Sequence, residues 1–90
     1  MSAPEVLHFV ASWAEAICSP HRREVEQAAN RLGLTVREID VDEHPDLAKA
    51  HRVLNVPAVA LSGRTDKSPI VGARPAAALA QRLSELLAAG

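Results

Sequence analysis

Cys18 is the only cysteine among 90 residues, and four histidines, His8, His21, His44 and His51, share the chain with it. His21 follows the thiol closely, and His8 precedes it inside an apolar run. If a helix begins at Ser19-Pro20, with serine as its cap and proline in its first turn, Cys18 stands at a helix N-terminus. Free backbone N–H groups there, together with a protonated His21, favour the thiolate, the form of cysteine that reacts. If the helix begins earlier, near Trp13, Pro20 lies inside it and Cys18 is a small, inert, buried side chain. The sequence leaves both starts open. A lone thiol permits no internal disulfide. The spacing of His8, Cys18 and His21 matches no zinc pattern, so no metal is expected, and no cofactor is implied.

The elements that must position these residues follow from pattern. Val6 to Val10 is a short apolar run suited to a buried strand. Val25, Ala28, Ala29 and Leu32 recur at helical steps, and Gly33 stops that helix. Leu34 to Val41 reads as a second strand. Pro45 opens a short helix with Leu47, Ala50 and Leu54 on its apolar face and Asn55 as its stop. His44 and His51 flank that helix and read as surface residues. Pro57 to Leu61 is a third strand, Gly63 to Ser68 a turn, and Ile70-Val71 a fourth strand. Pro75 opens a last helix, whose Leu79, Leu83, Leu86 and Leu87 share one face. The order β-α-β-α-β-β-α predicts an α/β fold. Helical crossovers make the early strands parallel, a closing hairpin makes the sheet mixed, and helices cover both faces.

Composition bounds the function. Residues 1–90 make one compact domain, and 48% of them are apolar, the balance of a globular chain. Ten basic and eleven acidic side chains nearly cancel, so there is no basic footprint for nucleic acid and no polybasic membrane patch. No run reaches the roughly 20 apolar residues of a membrane span. Met1 to Val6 has neither basic nor apolar signal features, which leaves a cytoplasmic location as the expectation, in keeping with the single thiol.

Four segments resemble the thioredoxin family. Phe9-Val10-Ala11-Ser12-Trp13 is similar to the strand that runs into its Trp-Cys-Gly-Pro-Cys motif. Asp40-Val41-Asp42-Glu43-His44-Pro45 resembles the acidic turn before its next helix. Asn55-Val56-Pro57-Ala58 resembles the segment with its cis-proline, and Val71-Gly72-Ala73 its final strand and glycine. The resemblance covers roughly residues 5 to 88 and implies the minimal thioredoxin-like fold, a four-stranded mixed sheet without the extra N-terminal strand and helix. It also implies a cis bond at Val56–Pro57.

The motif itself is missing. Without a gap, Ala14-Glu15-Ala16-Ile17 stands where Cys-Gly-Pro-Cys would be. With an insertion after Trp13, Cys18-Ser19-Pro20-His21 takes that place, and His21 replaces the second cysteine. Neither reading restores two thiols, and thioredoxin chemistry needs one to attack a disulfide and one to resolve the product. His8 occupies the position of the family's buried acid. With no second thiol to serve, it reads as a packed, hydrogen-bonded histidine.

The resemblance therefore implies a binding module for a protein or extended peptide, with Trp13, Cys18, Val56 and Pro57 lining a groove. The alternative is monothiol exchange, with Cys18 and His21 as catalytic residues and a low-molecular-weight thiol as partner. A third reading is a structural subunit beside a larger enzyme. The insert-free reading makes Cys18 an inert residue.

Overall fold

The computed structural model describes residues 3–89. Strand β1 (Val6–Val10) leads through a 3-10 turn (Ser12–Ala14) into helix α1 (Glu15–Arg31). Strand β2 (Val36–Asp40) and helix α2 (Pro45–Ala50) follow. Strands β3 (Ala58–Leu61) and β4 (Ile70–Val71) form a hairpin, and helix α3 (Ala76–Ala88) closes the chain. The four strands lie in the order β2-β1-β3-β4. β1 runs parallel to β2, pairing Val6 with Val36 and His8 with Glu38. β3 is antiparallel to both β1 and β4.

The antiparallel entry of β3 departs from the parallel crossover expected through α2. The short helix is in keeping with it. Six residues of α helix rise about 9 Å, against about 16 Å for a five-residue strand. α2 by itself is too short to carry the chain back along the sheet, and β3 starts at the end where β2 stopped. α2 also ends earlier than its apolar spacing predicts. Arg52, at φ 59°, turns the chain where Asn55 was expected to. Leu54 therefore leaves the helix face and is 91% exposed.

All five β1 residues are buried, because helices cover the strand on both sides. On one face α1 and α3 bring Val25, Ala28, Leu79 and Leu83 against Val6, Val59 and Leu61. On the other, α2 brings Ala48 against Leu7, Phe9 and Ile39. Each large side chain fully buried in these layers contributes roughly 1.5–3 kcal/mol. Because side chains alternate along a strand, His8 shares the α1 face with Val6 and Val10. No helix among the described residues is long and apolar enough to cross a membrane.

Candidate functional site

The helix that holds the thiol starts at Glu15, not at Ser19. Pro20 lies inside it and offers no N–H to the carbonyl of Ala16, an exposed residue that water can reach. Cys18 thus falls within the first turns of α1, on the stripe that continues through His21, Val25, Ala28 and Ala29. Its side chain is 0% exposed. The expectation that Cys18 lines an open groove fails for this reason: the helix phase turns it into the core. His21 goes inward with it, at 3% exposure.

His21 meets His8 there. His8 Nε2 and His21 Nδ1 are 3.1 Å apart, and the rings meet edge to face at 5.0 Å between centroids. On its other side, His21 Nε2 accepts the backbone N–H of Arg74 at 3.1 Å. A backbone amide can only donate, so Nε2 carries no proton and neutral His21 holds its proton on Nδ1. That proton points at His8 Nε2, which must accept it. Burial, reinforced by the neighbouring His21, lowers the His8 pKa from 6.5 to about 4. Burial also lowers that of His21.

Arg74 belongs to the segment that joins β4 to α3. The N–H of Gly72, at φ 94°, donates to the Pro57 carbonyl at 2.9 Å. That φ suits glycine and strains other residues. Three residues beyond the fold's last strand, Ala73, Arg74 and Pro75 form a lip over α1. Beyond it, the Ala76 N–H donates to Glu24 Oε1 at 2.9 Å. Between the lip and α1 lies a hollow of about 390 Å³, lined by Ile17, Pro20, His21, Glu24 and the lip residues. Its lining is mainly apolar. The Val56–Pro57 peptide bond beside Gly72 is cis. Pro57 itself is buried and Val56 half-buried, so this turn offers mainly backbone groups.

Trp13 stands one turn before Ile17 and is 70% exposed. Its Nε1–H donates to Asp42 Oδ2 at 3.1 Å, which ties the indole to the loop after β2. That loop is shaped in turn by the Asp42 N–H donating to Asp40 Oδ1 at 2.8 Å. Of the residues expected at a site, the fold keeps Trp13 at the surface and joins the Val56–Pro57 turn to the lip. It withdraws Cys18 and His21 from solvent. Ile17, 53% exposed, and the lip residues were not anticipated. The sequence signal for Ile17 is its place at the last position of the motif in the gap-free reading.

A second hollow, of about 270 Å³, opens at the carboxyl ends of β1 and β2. Its one arginine is already paired. Arg22 grips both carboxylate oxygens of Glu38, at 2.6 and 2.8 Å, and reaches Glu15 Oε1 at 2.9 Å. These bonds raise the Arg22 pKa and lower that of Glu38. His51, expected at the surface, is 2% exposed. The early end of α2 turns its ring against Phe9, with centroids 5.7 Å apart, and burial lowers its pKa. His44 is exposed, as expected.

A family profile described as Thioredoxin matches residues 1–85. The bifunctional thioredoxin reductase/thioredoxin of Mycobacterium leprae (strain TN) is 33% identical over 87 residues, 93% of this chain. The chain spans 19% of that relative's length. Among solved structures, a mutant thioredoxin from Halobacterium salinarum NRC-1 superposes with a TM-score of 0.75 at 28% identity. That match covers 93% of this chain and 74% of the other. Chloroplastic thioredoxin z gives a TM-score of 0.69 at 27% identity, covering 96% of this chain and 80% of its own.

Proposed function

Starting from a chain that belongs to the thioredoxin family, we propose that it acts as a binding module for a protein or an extended peptide. The surface is the rim formed by Trp13, Ile17, the Val56–Pro57 turn and the Ala73–Pro75 lip. The observation that carries this reading is a contrast in exposure. Trp13 and Ile17 present 70% and 53% of their surface to solvent, while the only thiol presents none. Exposed aromatic and aliphatic side chains around a shallow hollow are the features that anchor partners. With one cysteine in the sequence, a mixed disulfide would have no second thiol in the chain to resolve it. Exchange with a low-molecular-weight thiol would further require α1 to open around Cys18. The M. leprae relative bears a name that joins reductase to thioredoxin, and docking beside a larger enzyme is compatible with the same rim. A reducing, cytoplasmic setting belongs to this reading, supported by the free thiol.

The test uses carboxymethylated insulin B chain, an extended and largely apolar peptide without free thiols. Titrated at pH 7 into the isotope-labelled protein, it should shift the Trp13 indole N–H and the amides of Ile17 and Ala73. Ile17→Ser should weaken binding. Shifts scattered over the surface, or none on the rim at millimolar peptide, would sink the proposal.

A further inference from the structure

We propose that the row His8–His21–Arg74 is a proton-operated latch that holds the groove lip closed at neutral pH and releases it in acid. The inference rests on the groove reading for its purpose, but the latch itself is a matter of counting protons. Two contacts make up the row: Arg74 N–H to His21 Nε2, and His21 Nδ1 to His8 Nε2, each 3.1 Å. Each contact holds one proton when satisfied. Arg74 supplies the first permanently, so the three ring nitrogens can carry only one between them. A further proton, taken from solvent, overloads a contact. On His8 Nε2 it faces the His21 Nδ1–H. If His21 then moves its own proton to Nε2, that proton faces the Arg74 N–H. Either the histidine pair parts or the lip does.

The lip is the part free to move. His8 and His21 are locked between β1 and α1, at 1% and 3% exposure. Ala73, Arg74 and Pro75 are exposed. The lip is fastened at its ends, through Gly72 N–H to Pro57, Ala76 N–H to Glu24 and Leu79 N–H to the Pro75 carbonyl, while the exposed Arg74 side chain bonds locally to the Val71 carbonyl at 3.3 Å. Gly72, already in the left-handed region, provides a pivot.

The charged groups that face the pair come from three places. Glu38 of β2 favours a charged His8, and Arg22 of α1 opposes it. Glu24 of α1 favours a charged His21. Arg74 brings the lip's own positive charge. β3 sets Val59 across from His8, and the buried residues of α3 are Ala76, Leu79, Leu83 and Leu86, so neither adds a charge. Burial outweighs the two carboxylates, which places release below the ordinary histidine range.

The experiment follows the unliganded protein by NMR from pH 7.5 to 3.5. The histidine Cε1–H shifts report ring protonation, and amide exchange reports the lip. The Arg74 amide should lose about tenfold in protection for each pH unit below the ring midpoint, while Val10 in β1 keeps its own. His21→Gln, whose side chain can accept but not titrate, should leave Arg74 protection independent of pH. Should that variant not fold, the wild-type comparison of Arg74 with Val10 decides alone. An Arg74 amide that stays protected while the rings gain a proton would overturn the latch. So would loss of protection at Val10 and Arg74 together, which is global unfolding. Failure of peptide binding at pH 7 would remove the groove and leave these readouts intact.

Discussion

His8 Nε2 lies 3.1 Å from His21 Nδ1, joining the central strand to the helix that follows it through a hydrogen bond between two buried rings. Their partners fix both tautomers, so the core holds two neutral imidazoles where a charge would be costly.

Acid should therefore weaken the fold in a defined window. A depressed histidine pKa means that the unfolded chain binds the proton first. The stabilisation from a neutral His8 is complete above pH 6.5 and is lost as pH falls toward about 4. The full loss is on the order of 3 kcal/mol for this ring. Glu38 acts in a lower window, because its lowered pKa makes it stabilising above its ordinary 4.5 and less so as pH falls beneath. Urea midpoints at pH 7, 5.5 and 4 should decline steadily. A flat profile between 7 and 4 would contradict the buried neutral pair.

Cys18 should resist modification. In the folded protein, iodoacetamide should react at least about 100-fold more slowly than in urea, since opening α1 costs several kcal/mol. The protein should also fail to speed the reduction of insulin by dithiothreitol above background. Fast alkylation at pH 7, matched by catalysis that Cys18→Ala abolishes, would return the monothiol reading to first place.

Trp13 offers an optical check, being the only tryptophan. Its emission should resemble that of a solvent-exposed indole. Asp42→Ala removes the acceptor of its N–H and should change emission or anisotropy. The effect on stability should stay below about 1 kcal/mol, because the contact is exposed. A loss of several kcal/mol would show that the indole supports the core.

Leu79 marks the opposite extreme. It is 0% exposed where α3 meets α1 and the sheet, and Leu79→Ala should cost about 2–5 kcal/mol in chemical denaturation. A cost under 1 kcal/mol would mean that α3 packs more loosely than its leucine stripe indicates.

The strands and the closing helix were legible because their patterns are local: a run at Val6–Val10, a leucine stripe on α3. The start of α1 was not. Pro20 imitates a helix opening, and only the phase of Val25, Ala28 and Ala29, carried backward by steps of four and three, points to His21 and Cys18 as buried. His51 was misplaced because a positive φ at Arg52 ends α2 early, and nothing in an arginine announces that turn. The lip was beyond reach for a different reason. Its bond to His21 runs between residues 53 apart and uses a backbone amide, which carries no side-chain signature.

The position of β2 at one margin of the sheet has a consequence for the molecule among its own copies. Its outer row of peptide groups faces no further strand, a template on which another chain could extend the sheet. Arg37 and Glu38, both exposed, stand on opposite faces of that strand, and the opposite margin is the two-residue β4. A second copy pairing there would have to bring charged side chains together along β2, or settle for a single pair of residues on β4. Charged residues on one edge and a two-residue strand on the other are features that disfavour growth of the sheet strand by strand, even beside an exposed apolar rim.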